Sequence, residues 1–210
     1  MQNSLMIWGA LWLAAPLWAA SYYTMRLDDP KAVYVHGDGI ADDTDAIQQA
    51  IDKVQETTNQ GIVFVPEGRY RLTKTVYIWP GIRLIGYGTA RPVFVLGENT
   101  PGYQDPDQEK LMIFFAGRRS AANSQPPDAN PGTFYSALSN IDLEIGDGNA
   151  GAVGVRAHYA QHCFLAHMDM RIGSGLAGIH EGGNVLEDVN FHGAGTESGR
   201  ARLRRAGNSR

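Results

Sequence analysis

Between residues 141 and 193 the chain repeats one short phrase three times. Ile141-Asp142-Leu143-Glu144-Ile145-Gly146 returns 27 residues later as Met168-Asp169-Met170-Arg171-Ile172-Gly173, and Val189-Asn190-Phe191-His192-Gly193 follows after a further 21. Between these, Gly154-Val155-Arg156 returns as Gly178-Ile179-His180, an offset of 24. Repeats in the low twenties with residue-level echoes are the mark of stacked coils, where each lap buries its apolar face against the laps above and below. A sandwich would not repeat in this way. Within each phrase apolar and polar residues alternate with the period of a strand. Ile141, Leu143, Ile145, Met168, Met170, Ile172, Val189 and Phe191 therefore face inward. Asp142, Asp169 and Asn190 form one outward column, and Glu144, Arg171 and His192 form the column beside it.

Upstream lies a single helical pattern. Ala46, Ile47, Ala50, Ile51 and Val54 recur at three- and four-residue steps and give one apolar stripe. Asp42, Asp43 and Thr44 precede it and supply acceptors for the free N–H groups of the first turn. A catalytic role for the Asp42–Asp43 pair is the less favoured reading, because both sit where capping and turn formation need them. After Asn59-Gln60-Gly61, a stop signal, the strand Ile62-Val63-Phe64-Val65 runs to Pro66-Glu67-Gly68. Short strands then follow at Tyr70 to Leu72, Val76 to Ile78, Ile82 to Leu84 and Val93 to Leu96, with turns and no helices between them. That order excludes a doubly wound sheet.

The strings GDGIADDTDAIQQAI, IVFVPEGRYRLTKTVYI and GIRLIGYG resemble the N-terminal module of the pectate-lyase superfamily. That group includes rhamnogalacturonase-like and epimerase-like proteins and laminarin-cleaving β-1,3-glucanases. The resemblance is close over Tyr34 to Gly97 and looser up to Gly193. It implies an all-β chain, a right-handed parallel β-helix plugged at its N-terminal end by an α-helix, with carbohydrate as the usual ligand class. One departure is the glycine-rich entry before the first strand, replaced here by Val33-Tyr34-Val35-His36. The family's catalytic groups usually lie on later coils, so no catalytic residue is carried over by resemblance.

The chain has 210 residues, a net charge of −4 and a sequence pI near 5.8. No basic field exists to attract nucleic acid in bulk. One cysteine, Cys163, rules out an intrachain disulfide and reads as a packed interior thiol. Residues 1–20, apolar from Leu5 to Ala20, read as a secretory signal peptide or an N-terminal anchor, which places the body of the protein outside the cell or in the periplasm. Residues 21–193 read as the N-terminal part of a parallel β-helix domain. Residues 194–210, with five Arg in the last eleven, read as a disordered or truncated basic tail.

Two stretches, Asn99 to Asp107 and Arg118 to Thr133, are polar insertions. On one side of a solenoid they would wall a groove; Arg118 to Thr133 reads equally well as an excursion without function.

The columns nominate chemistry. Coils stack at about 4.8 Å, which would bring Asp142 and Asp169 within the range of carboxylate separations used by glycoside hydrolases. Arg171 stands beside them as a candidate base or anion clamp, so Asp142, Asp169 and Arg171 are the catalytic candidates. Glu144, His192 and Tyr159 are the candidates for substrate binding. The simpler reading of the same columns is a solvated strand face with a Glu144–Arg171 ion pair across it. No zinc pattern is present among His158, His162, His167, His180 and His192, and no cofactor is expected beyond Ca²⁺ if the protein is a lyase.

Three readings stay open: a polysaccharide-active enzyme, either glycoside hydrolase or pectate-lyase-like, as part of a longer protein; a non-catalytic carbohydrate-binding or adhesion module; and an inactive truncated chain. The partner in the first two is polysaccharide.

Overall fold

The structure is a computed structural model and describes residues 20–26, 29, 32–35, 37, 41–120, 124–183 and 185–193. The expected leader, apart from Ala20, and the basic tail lie outside the described residues.

The chain winds as a right-handed parallel β-helix with three faces. The first face stacks β1 (Val33–Tyr34), β2 (Gly61–Pro66), β5 (Ile82–Tyr87), β8 (Ala137–Ser139) and the first half of β11 (Phe164–Gly173). The second stacks β3 (Arg69–Leu72), β6 (Val93–Leu96), β9 (Asp142–Ile145) and the second half of β11. The third stacks β4 (Val76–Ile78), β7 (Lys110–Phe115), β10 (Ala152–Arg156) and β12 (Ala177–His180). A last strand, β13 (Leu186–Gly193), follows β11 around the corner from the first face to the second. Every pairing between named strands is parallel, as a single winding direction requires.

The register verifies the repeats. Met170 pairs with Leu143, so Asp169 stands over Asp142, and Asp169 in turn pairs with Asn190. Val155 pairs with Ile179. Inside, each face sends one column into the bore: Val63, Leu84, Leu138 and Leu165 from the first, Tyr70, Phe94, Leu143 and Met170 from the second, and Val76, Ile113, Val155 and Ile179 from the third. All are buried, and full burial of such side chains contributes roughly 1.5–3 kcal/mol each.

In the later coils the corner from the first face to the second is made by non-glycine residues in the left-handed region. Asn140 (φ 57°), His167 (φ 53°) and Asp188 (φ 50°) occupy it in successive coils. Asparagine tolerates that geometry best, because its short amide can bond locally. Asn140 is fully buried, and its side chain donates to Gly86 O and Ser21 Oγ at 2.8 Å each and accepts from Tyr22 N at 2.6 Å. It therefore ties the N-terminal segment across the coils.

A parallel stack leaves the first strand of each face with unpaired backbone groups, and α1 (Thr44–Thr58) is fitted to that problem. On the first face β1 covers β2. On the second, Asp42 and Asp43 stand in for a strand: Asp43 N donates to Arg71 O at 2.8 Å, and Arg71 N donates to the Asp43 carboxylate at 3.0 Å. On the third, the amide of Gln48 takes both roles, accepting from Tyr77 N at 2.8 Å and donating to Tyr77 O at 3.2 Å. Ile47, Ala50, Ile51 and Val54 close the bore beneath.

The expected helix cap is accordingly divided. The Asp42 carboxylate accepts from Thr44 N at 3.0 Å, whereas Asp43, the N-cap residue, makes no side-chain bond to the helix and is spent on β3. At the other end, Val185 and Leu186 are exposed, and nothing among the described residues pairs with the free edges of β12 and β13.

Gln48→Ala should strand the edge N–H and C=O of Tyr77 and lower stability by about 1–3 kcal/mol. Urea unfolding with an unchanged m-value checks this; no loss of stability would mean that water serves the edge equally well.

Candidate functional site

The second face brings together the carboxylates nominated from the sequence, but in a different role. Asp142 is 2% exposed and Asp169 7%. They are covered by Arg91, which is itself buried; its Nε lies 2.7 Å from Asp142 Oδ1 and its Nη2 2.9 Å from Asp169 Oδ2. Asp169 N also donates to Asp142 Oδ1 at 2.9 Å, and the Asn190 amide donates to Asp169 Oδ1 at 3.1 Å.

These groups point away from the bore as alternation requires, yet the turn before β6 folds Arg91 over them. A glycan outside the coil does not reach them, and a guanidinium occupies the place a cation would take between them. We therefore correct the assignment of Asp142 and Asp169: they form a buried ladder that ties coils together. Burial pushes the Asp142 carboxyl above the usual range, opposed by the Asp169 N–H and by Arg91.

The neighbouring column is open. His192 is largely exposed, with Nε2 3.7 Å from Asp169 Oδ1. Arg171 stands between Glu144 and His192 in the register. Glu144 pairs with Arg69 at 2.9 Å, reaching across two coils. Tyr159 is the second correction. It is 4% exposed, packs edge-to-face on Phe115 with ring centroids 5.0 Å apart and lies under Gly183, so it is a core residue with its hydroxyl pushed well up by burial.

The third face carries a different constellation. The two polar insertions leave from opposite ends of β7, Asn99 to Asp107 before it and Arg118 to Thr133 after it, and among the described residues Glu109 and Asp128 reach the sheet from either side, at His180 and Arg156. The first is anchored by Tyr103, fully buried, whose hydroxyl donates to Leu111 O at 3.0 Å. The second doubles back on itself: Ala129 N donates to Phe115 O at 3.1 Å and Gly117 N to Pro127 O at 3.0 Å.

Between them the outward column of the sheet, Tyr77, Phe114, Arg156 and His180, forms the floor of a trough with one residue per coil. At its lower end a cleft of about 400 Å³ is lined by Gln48, Tyr77, Trp79, Ser120, Ser124 and Gln125. There the rings of Tyr77 and Trp79 stack at 5.7 Å.

Higher up, charge converges. Arg156 Nη2 lies 2.6 Å from Asp128 Oδ2 and 2.6 Å from Glu181 Oε2. His158 Nδ1 is 3.5 Å from the first oxygen and 3.8 Å from the second. His180 Nδ1 sits 2.6 Å from Glu109 Oε2. Arg156, Asp128 and Glu181 are each about one-quarter exposed and His158 nearly half, so the cluster faces solvent along the trough. The hydrogen bond to Asp128 holds the Arg156 guanidinium firmly protonated. Ligand atoms of Asp128, His158 and Glu181 lie within 4.8 Å of one another, a spacing that fits a metal ion. The guanidinium of Arg156 already fills the central position between the two carboxylates, and a dication would have to displace it.

The sequence shows no metal-binding pattern among the histidines and singles out His192 alone as a site candidate. The structure scatters them: His158 and His180 lie in the trough, His167 at the corner, His162 against Tyr135 and His192 on the second face. The echo of Gly154-Val155-Arg156 in Gly178-Ile179-His180 was the available signal: carried through the same alternation, it sets Arg156 beside His180, as the register shows. Asp128, inside an insertion, had none.

A right-handed parallel β-helix with a helical N-terminal plug, a buried ionic ladder on one face and a walled trough on another defines the class of protein. The chain belongs to the rhamnogalacturonase A/epimerase, pectate lyase-like family, whose sequence model matches residues 33–202. It is 26% identical over 174 residues to a glucan 1,3-beta-glucosidase of Cochliobolus carbonum, an alignment covering 69% of this chain and 20% of that protein.

Among solved structures it is similar to PfbA, a surface adhesin of Streptococcus pneumoniae, with a TM-score of 0.54 and 15% identity over 80% of this chain and 40% of that one. It also aligns with the A-module of the Azotobacter vinelandii mannuronan C-5 epimerase AlgE4, with a TM-score of 0.46 and 16% identity over 76% of this chain and 48% of that one. The chain thus spans a fifth of the length of the matched glucosidase.

Arg91→Ala should cost about 3–5 kcal/mol, because it leaves two buried carboxylates without their cation. The pH dependence has a definite sign. The stability that Asp142 contributes through its raised pKa is fully present below its ordinary value of 3.8 and is lost as pH rises through the folded value. The stability of Asp142→Asn relative to the parent should therefore improve with rising pH, as followed by thermal melts. A difference independent of pH would remove this account.

Proposed function

We propose that this chain forms part of an exported, polysaccharide-active β-helix protein whose glycan lies along the trough over β4, β7, β10 and β12. The observation that carries this reading is the partly exposed pair Asp128 and Glu181 with Arg156 between them, in a trough flanked by two insertions. Coils repeat every 4.7–4.9 Å or so, close to the length of one hexose, so successive sugars lie over successive coils, with Tyr77, Arg156 and His180 partly exposed on the floor and Phe114 buried between them. At the lower end the half-buried ring of Tyr77, backed by Trp79, and the polar side chains of Ser120 and Gln125 offer what a sugar binds, an apolar face and hydrogen-bond partners for hydroxyls. The apolar N-terminal run and the family membership support export and a carbohydrate ligand.

Charge selects among substrates. Glu109, Asp128 and Glu181 face the trough against one guanidinium, which is already engaged by two of them. An acidic sugar would meet uncompensated negative charge, whereas a neutral glucan would not. Elimination from a uronate also needs a positive group to stabilise the carboxylate as it becomes an enolate. Hydrolysis of a neutral glucan needs two carboxylates close together, about 5–5.5 Å apart when configuration is retained. Asp128 and Glu181, with oxygens inside 4.8 Å, are our candidates for that pair, with His158 and Arg156 as positioning residues. The name of the 26%-identical relative, a glucan 1,3-beta-glucosidase, supports the same direction.

A specific observation favours a second reading. The Arg156 guanidinium, 2.6 Å from both carboxylates, fills the space between them in which the bond to be cleaved would have to lie. In that case the trough binds glycan without cleaving it.

A panel of neutral β-glucans and pectate, assayed for reducing ends and for unsaturated products, decides between them. We expect reducing ends from a neutral glucan, and Asp128→Asn or Glu181→Gln to slow their release by about 100-fold or more with the fold intact. Glycan binding without products selects the second reading. Unsaturated products from pectate, or full activity in both variants, would remove the assignment.

A further inference from the structure

The insertion 116–136 has two sides, and only one faces the trough. The other meets the C-terminal end of α1 and the Pro80-Gly81 turn in a separate open cleft, lined by Gln55, Asn59, Arg118, Arg119, Phe134 and Tyr135 among others. From this cleft and from its position in the fold, we propose a second carbohydrate site, which takes one or two units of a neutral hexopyranose chain and holds the polymer beside the trough. It rests on the reading of the protein as glycan-binding.

Three observations converge on it. First, Phe134 and Tyr135 are adjacent aromatics exposed at 38% and 43% on the wall of a cleft otherwise lined mainly by polar side chains, a setting in which an exposed ring offers a binding face. Second, the ring of Tyr135 is held in place. It stacks on His162 at 5.4 Å and 15°, and both residues have left-handed backbones, φ 63° and 62°. Arg83 Nε donates to Tyr135 O at 3.2 Å and Gly81 N to Phe134 O at 3.1 Å. A bulky aromatic in that region is costly and persists where its surroundings impose it.

Third, polar groups wait beside the rings. The side chains of Gln55, Asn59 and Arg118 make no hydrogen bond or ion pair with any other described residue, while Arg119 is paired with Asp52 and Glu56. With Arg119 taken up by Asp52 and Glu56 and Arg83 turned to the Tyr135 carbonyl, the amides of Gln55 and Asn59 and the guanidinium of Arg118 are the groups left to meet sugar hydroxyls. Planar amides and a guanidinium beside an aromatic face match the alternation of hydroxyls and C–H faces on a pyranose ring.

The backbone at Tyr135 supplies a variant that does not endanger the fold. Tyr135→Gly removes the ring and relieves the left-handed strain, so its melting temperature should hold or rise. Affinity electrophoresis through soluble laminarin tests the site, with Tyr135→Gly, Tyr135→Phe and the trough variant Asp128→Asn run beside the parent. We expect Tyr135→Gly to weaken retention about tenfold, Tyr135→Phe to keep it, and Asp128→Asn to keep the part that depends on Tyr135. Retention of the parent and of Tyr135→Gly alike would overturn this site while leaving the trough standing. A parent that laminarin does not retain would bring down the glycan reading itself, and this site with it. A fall in melting temperature in Tyr135→Gly would assign the ring to packing and also overturn the proposal.

Discussion

The structure depends on how a stack of parallel strands deals with its first edge. Backbone N–H and C=O groups are obligatory partners, and the lowest strand of each face offers a row of them with nothing beneath. Three faces require three answers, and this chain uses a different one for each: a short strand, the backbone and carboxylate of Asp43, and the side-chain amide of Gln48. All three belong to one continuous stretch ending in α1. The helix is therefore a lid and also a template whose polar side sets the register of the first coil, and every later coil inherits that register.

Burying charge on the second face follows the same logic. Asp142 and Asp169 repeat because the coil repeats, and two stacked carboxylates without a cation would repel each other. Arg91 converts that liability into a tie between laps. Such buried ion triads are weak evidence for stability in themselves, but losing one partner is costly. The third face spends its charges differently: Arg156, Asp128 and Glu181 stay within reach of solvent, where they can meet a ligand.

Much of the winding was readable from residues alone. The echoes at offsets of 27, 21 and 24 become the observed register, and the alternation of Leu143 with Asp142 and of Met170 with Asp169 assigns inside and outside correctly. What alternation does not tell is whether an outward residue stays in water. Asp142 points out and is covered, because Arg91 comes from a turn that bears no periodic relation to it. Tyr159 sits in a turn between strands and folds inward to meet Phe115, which no local pattern foretells. The trough's carboxylate Asp128 comes from an insertion with no repeat, so only tertiary structure joins it to Arg156, whereas Arg156 and His180 at least share an echo 24 residues apart.

Both insertions leave the coil at the two ends of a single strand, β7, and the ladder runs past them undisturbed. Changes in their length fall outside the register, and closing a loop of twice the length costs only about 0.6 kcal/mol more. The scaffold and the flanking flaps are thus free to diverge at different rates: related chains can exchange these flaps, deepen or flatten the channel and redraw the outer cleft while the spiral beneath stays the same.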